Sequence, residues 1–218
     1  MEYMPQPLRV LVTGASRGIG RACAEAFAQA GHTVTAVART GDQLASLKAA
    51  CGEHVEVLVA DLTEDLQLTG TYDVVVLNAA YFAPGGLLDT RDVFGESFTL
   101  NVLANHRLAR QLLPAMRDRK SGHLLVIGST STDDTSPHMT AYAATKKALR
   151  ALYEGWEQEL IGSGVRTTLI APGATLTSSW DGQELPPRML AAAEVAALVY
   201  RAVTQGLTGR IVLRADQP

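Results

Sequence analysis

Arg9-Val10-Leu11-Val12-Thr13-Gly14-Ala15-Ser16-Arg17-Gly18-Ile19-Gly20 passes from a short apolar run directly into a glycine loop. Beyond the loop, Ile19, Ala22, Cys23, Ala26, Phe27 and Ala30 recur at steps of three and four, and Gly31 follows where a helix C-cap belongs. A continuous apolar run of that length reads as a buried strand, and the three-and-four spacing as an amphipathic helix. The fold follows from this strand–glycine loop–helix unit if the rest of the chain repeats the alternation.

It does. Apolar runs at Thr33–Ala38, Val55–Ala60, Asp73–Leu77, Leu124–Gly128, Val165–Ala171 and Ile211–Leu213 predict six further strands. Helical patterns are expected over Asp42–Cys51, Asn101–Met116, Ala141–Ile161 and Pro187–Val203. No Pro/Gly/Ser-rich linker, internal repeat or low-complexity tract divides the chain. Strands that alternate with helices imply right-handed crossovers and a parallel sheet covered on both faces. One α/β domain with a doubly wound parallel sheet of about seven strands is therefore expected over residues 1–218, with 1–7 as a loose lead-in marked by Pro5 and Pro7. Only sixteen residues separate Asp61 from Asn78, so a helix between those strands is expected to be short or absent.

Composition excludes several classes. The chain has 218 residues, 47% hydrophobic and 19% charged, with a net charge of -3. Its longest positive cluster, Arg117, Arg119 and Lys120, is split by Asp118, so nucleic acid is not an expected partner. No stretch reaches the roughly 18 apolar residues of a spanning helix. Met1 to Leu8 lacks the basic start and apolar core of a secretion signal, which points to the cytoplasm. Cys23 and Cys51 are read as reduced, buried thiols, too few for a cysteine-rich zinc site.

The glycine loop carries chemistry as well as topology. Glycines let the chain turn sharply and let a pyrophosphate approach the amides at a helix N-terminus. The spacing is Gly-x-x-x-Gly-x-Gly rather than Gly-x-Gly-x-x-Gly. Farther on, Tyr142 and Lys146 lie four apart in a helical pattern and share one face. A phenol starts near pKa ~10, and an adjacent ammonium lowers it, which makes proton exchange with a substrate oxygen feasible. An exposed Tyr and Lys on a surface helix would give the same pattern, so the pair needs its surroundings.

Those surroundings resemble the short-chain dehydrogenase/reductase family, in its shorter subtype, through motifs in the family's order from about Leu8 to Leu213. The Thr13–Gly20 loop is similar to the family's cofactor loop, and Asp61 matches the acid that contacts adenine. Asn78-Ala79-Ala80 resembles Asn-Asn-Ala-Gly with its first and last residues changed. Pro172-Gly173 with Thr177 matches the segment that approaches the nicotinamide carboxamide. The resemblance implies a Rossmann fold and cofactor contacts from six groups of residues. These are Gly14, Ser16, Arg17, Gly18, Ile19 and Gly20; Arg39 and Thr40; Asp61 and Leu62; Asn78, Ala79 and Ala80; Tyr142 and Lys146; and Pro172, Gly173, Thr175 and Thr177.

It also implies a catalytic set of Asn101, Ser129, Tyr142 and Lys146. Tyr142 exchanges the proton, Ser129 hydrogen-bonds the substrate oxygen, Lys146 reaches the nicotinamide ribose, and Asn101 holds a water behind the lysine. Thr130 and Ser131 are nearby hydroxyls whose spacing to Tyr142 fits less well, and His138 reads as a rim or surface residue. The implied activity is reversible hydride transfer between nicotinamide and a carbonyl or alcohol carbon, in a homodimer or homotetramer built on the Asn101 and Tyr142 helices. A redox sensor or regulatory protein that binds NADP(H) with weak catalysis is the alternative, although such a protein is expected to have lost one of Ser129, Tyr142 or Lys146. Epimerase, dehydratase and halide-eliminating relatives differ in the glycine loop, the C-terminal region or the lysine.

NADP(H) is the expected cofactor. Sites that select NAD place an acid after the second strand to bind the ribose 2′-hydroxyl. Here that place reads Ala38-Arg39-Thr40, with Asp42 too late, and Arg17 lies in the glycine loop. Two guanidinium groups are expected to clamp a 2′-phosphate. Only nine residues, Ser178 to Pro186, separate Thr177 from the next expected helix, and the sequence stops soon after the last strand. An open, loosely selective pocket without a lid follows, with Trp180 either a substrate wall or ordinary packing.

Overall fold

The computed structural model describes residues 6–182 and 184–215, so most of the 1–7 lead-in and one residue of the 178–186 segment lie outside the described residues. The quoted stretch forms β1 (Arg9–Thr13) and α1 (Gly18–Gln29). The alternation continues through β2 (Thr33–Ala38), α2 (Gly41–Cys51), β3 (Val55–Val59) and β4 (Val74–Leu77). It then runs through α3 (Phe94–Phe98), a π-helical turn (Thr99–Ala104), α4 (Asn105–Asp118), β5 (Gly122–Ile127), α5 (Thr140–Glu159) and β6 (Val165–Pro172). A small pair, β7 (Thr175–Leu176) and β8 (Leu190–Ala191), precedes α6 (Ala192–Gln205) and β9 (Gly209–Leu213).

Seven strands form one parallel sheet in the order β3-β2-β1-β4-β5-β6-β9. Successive side chains on a strand point to opposite faces, which explains why the apolar runs are unbroken rather than alternating. Val10, Val12, Val76, Leu125 and Ile127 pack with Phe27, Leu44, Val195 and Val199 in one core. Leu11, Val75, Leu77, Leu124 and Val126 pack with Leu108, Leu112, Leu149, Tyr153 and Trp156 in the other. The chain reverses its direction of winding between β1 and β4, and the crevice outside the carboxyl ends of such strands is where ligands bind.

Three expectations change. The helix read from Asn101 begins at Phe94, where the Asp92 carboxylate accepts the Phe94 N–H at 2.9 Å. Gly95 and Thr99 break the apolar periodicity there, so Asn101 sits inside the helix, within its π turn, rather than near the start. The last helix begins at Ala192, not Pro187: Leu190 and Ala191 stay extended to pair with Thr175 and Leu176. Glu194 then caps the helix by accepting the Ala191 N–H at 2.6 Å. Cys23 is buried, with its thiol pushed up to about 12 by burial, but Cys51 is only half-buried, and both are free. The segment between β3 and β4 holds turns and no helix, as the short spacing predicts.

Candidate active site

The glycine loop is locked to the end of β4 through one hydroxyl. Thr13 Oγ1 accepts the N–H groups of Asn78 and Ala79 at 3.0 and 3.1 Å, and Asn78 Nδ2 donates back to the Thr13 carbonyl at 2.9 Å. Gly14 and Gly18 hold φ angles of 66° and 57°, which disfavour a side chain. A Cβ on Gly20 would lie 2.3 Å from the Gly14 carbonyl oxygen and 2.4 Å from Asn78 Nδ2. Gly20 thus serves close approach inside the cradle, while Gly14 and Gly18 shape its surface. The α1 N-terminus has no side-chain cap, which leaves its first N–H groups available to an anion in the crevice.

The crevice is a cleft of about 870 Å³. Every residue expected to hold the cofactor lines it except Gly20, and so do Ser129, Tyr142 and Lys146. Asn101 does not. Its buried amide accepts the Tyr81 N–H at 2.6 Å, and donates to the Tyr81 carbonyl at 3.1 Å and to Thr145 Oγ1 at 3.0 Å. The side chain therefore ties the loop after β4 to α5, one residue before Lys146. Thr145 in turn donates to the Tyr142 carbonyl at 2.8 Å.

Lys146 is buried; its Nζ donates to the Ile127 carbonyl at 2.9 Å and lies 5.7 Å from the Tyr142 ring centroid. Burial lowers the ammonium to about 8. Burial also pushes the Tyr142 phenol up to about 12, and the Ser129 hydroxyl acts in the opposite direction. Lys146 therefore does not bring the phenol below its ordinary value here, contrary to the expectation from the pair alone. Desolvation sets the direction, and the Lys146 ammonium, which donates to the Ile127 carbonyl, is not among the influences on the phenol. Ser129 follows β5 by two residues rather than ending it. It caps a 3₁₀ turn over Thr130–Thr132, accepting from the Ser131 N–H at 3.1 Å and the Ser131 hydroxyl at 2.9 Å.

The two arginines do not converge on one group. Arg39 is exposed and pairs with the Asp61 carboxylate at 3.5 Å, whereas Arg17 donates to Ser178 Oγ at 3.0 Å. Asp61 also accepts the Thr63 N–H and hydroxyl at 2.8 and 2.7 Å, and the Thr63 N–H is the main reason its pKa is lowered. His138 sits on the cleft's rim, 76% exposed in its side chain, with Nδ1 3.5 Å from Asp89. Sequence reading missed Phe82. Its ring lies 4.9 Å from that of Tyr142 at 76° and 5.0 Å from that of Trp180. The only signal for it was its place four residues after Asn78, in a segment with no periodic pattern.

Residues 9–185 match the model of the short chain dehydrogenase family, and the chain belongs to that family. It is 35% identical over 182 residues to a short chain dehydrogenase of Pseudocercospora fijiensis, an alignment spanning 75% of this chain and 58% of that protein. Among solved structures it is similar to a short-chain dehydrogenase from Sphingobium yanoikuyae in complex with NADPH. There the TM-score is 0.85 and the identity 30%, covering 94% of this chain and 87% of the other. An alcohol dehydrogenase from Thermococcus sibiricus complexed with 5-hydroxy-NADP matches with a TM-score of 0.83 and 27% identity, over 98% and 99% of the two chains. No helix among the described residues is long and apolar enough to cross a membrane.

Proposed function

We propose that this chain is a single dinucleotide-binding and catalytic domain that reversibly reduces carbonyl compounds with NADP(H), with Tyr142 as the proton donor. The observation that carries the reading is the convergence of Ser129, Tyr142 and Lys146 on the cleft that also takes in the glycine cradle. The cradle suits a dinucleotide: close-packed glycines, uncapped α1 amides and a volume in the range of ligand sites. Gly14 to Ile19 would face the pyrophosphate with Gly20 packed beneath them, Asp61 and Leu62 the adenine end, and Pro172 to Thr177 the nicotinamide. Arg39 is the candidate for the 2′-phosphate, and both similar structures named above were solved with an NADP-type nucleotide.

The bound cofactor supplies or accepts hydride; the chain's own groups manage the oxygen. At neutral pH the desolvated Tyr142 phenol holds its proton, the state that a donor to a carbonyl oxygen needs. The Ser129 hydroxyl offers a second donor to the developing alkoxide. After transfer, the Lys146 ammonium, 5.7 Å from the Tyr142 ring centroid, is the cation beside the phenolate. Asn101 acts in this reading as a positioning residue that fixes α5 against the loop after β4. Its amide nitrogen is committed to Tyr81 and Thr145, and its backbone carbonyl accepts from Asn105 Nδ2 at 2.9 Å.

Beside Tyr142 the wall is aromatic, made of Phe82 and Trp180, and residues 178–180 form a single 3₁₀ turn instead of a lid helix. This favours aromatic or medium-chain carbonyls taken with little discrimination. A cytoplasmic homodimer or homotetramer completes the proposal, checked by light scattering. The decisive experiment is oxidation of NADPH, followed by its absorbance, with benzil, benzaldehyde and ethyl acetoacetate. Turnover of at least one is expected. Tight NADPH binding without any turnover would favour the regulatory alternative.

A further inference from the structure

The catalytic assignment does not use Ser131, yet its hydroxyl lies in the same cleft as Ser129. A hydroxyl has one proton to give and two lone pairs with which to accept. Ser129 Oγ receives both the Ser131 N–H and the Ser131 hydroxyl, at 3.1 and 2.9 Å. Both acceptor positions are then filled from one side, and the only capacity left to Ser129 is its own proton. The Ser129 carbonyl is held as well, accepting from Thr132 Oγ1 at 2.9 Å, so the residue is fixed at backbone and side chain together.

We infer that Ser131 is a positioning residue that aims the Ser129 proton at the substrate oxygen, making a donor chain from Ser131 through Ser129 to the reacting oxygen. Hydrogen bonds in series polarise one another, so a Ser129 hydroxyl that accepts from Ser131 is also the stronger donor. A free Ser129 hydroxyl would instead divide its time among rotamers, some accepting from Tyr142 and unable to donate to the substrate.

The inference rests on the proposed catalytic reading, and four variants separate the two. Ser131→Ala deletes the hydroxyl but keeps the N–H that closes the turn; Ser131→Thr restores a hydroxyl. With NADPH and benzil, benzaldehyde and ethyl acetoacetate as probes, Ser131→Ala is expected to lower kcat about tenfold. Its NADPH dissociation constant, read by nucleotide fluorescence, should stay within twofold, and Ser131→Thr should recover most of kcat. Ser129→Ala and Tyr142→Phe are run alongside. If these two lose activity while Ser131→Ala turns over within twofold of the parent, the inference is overturned and the catalytic reading stands. If Ser129→Ala and Tyr142→Phe keep parental activity, or the parent turns over none of the probes, the reading falls and takes the inference with it.

Discussion

Replacing Gly20 by alanine isolates the physical content of the glycine loop. The added Cβ would meet the Gly14 carbonyl oxygen at 2.3 Å, the Gly14 carbonyl carbon at 2.8 Å and Asn78 Nδ2 at 2.4 Å. Two of these are backbone atoms of the turn itself, and the third is an amide that donates to the carbonyls of Thr13 and Gly14. No flexible side-chain end can yield, so α1 must move away from β4 or Asn78 must leave its bonds. Overpacking of this kind costs about 1–3 kcal/mol, and the weakened amide bonds add about 1 kcal/mol. A total near 2–4 kcal/mol corresponds to a Tm loss on the order of 10 °C for a chain of this length. Differential scanning calorimetry measures it, with NADPH titrated by fluorescence on the same samples, where affinity should fall at least tenfold. Gly155→Ala is the control: a Cβ there meets nothing within 4 Å on α5, and alanine should leave Tm unchanged or raise it. Parental Tm and NADPH affinity in Gly20→Ala would refute the close-approach argument.

Four further outcomes are expected. Tyr142→Phe removes the exchangeable proton alone, so kcat should drop by several orders of magnitude with NADPH affinity nearly intact; near-parental turnover sinks the assignment. Arg39→Ala should cut the preference for NADPH over NADH by about 10- to 100-fold, the scale of a lost charge-assisted bond, measured as the ratio of kcat/KM values. The open, aromatic-walled cleft should give high KM values across several carbonyls, and a steep preference for one small substrate would contradict it. Burial holds the His123 imidazole down at about 4, against an ordinary 6.5, and its Nδ1 has no partner among the described residues. The unfolded chain binds that proton below 6.5 and the folded chain refuses it until about 4. Stability contributed by His123 is therefore complete above pH 6.5 and falls by about 3 kcal/mol as pH drops through 4. Urea unfolding of His123→Gln should show a flatter pH dependence in that window than the parent.

The sequence alone determined the alternation of strands and helices, because a buried strand and an amphipathic helix write different periods that local composition cannot disguise. It also determined which residues gather at the cleft: the parallel, doubly wound order brings every β-strand's carboxyl end to one edge of the sheet, so Gly14, Arg39, Asp61, Asn78, Ser129 and Pro172 could be placed there by their position at or after a strand's end. Tyr142 and Lys146 came with them through a helical spacing of four. Tertiary structure alone decided what neighbours do to these groups. The phenol rises because the packed cleft desolvates it, and Lys146 is directed to the Ile127 carbonyl, neither of which spacing encodes. Asn101 became a three-way tie because a π turn aims its amide at Tyr81 and Thr145, twenty and forty-four residues away. Phe82 entered the site from an aperiodic loop, where no local pattern restricts which way a side chain faces. Periodicity and strand order reflect local, repeating forces; charge state and orientation depend on which distant groups the fold brings within hydrogen-bonding distance.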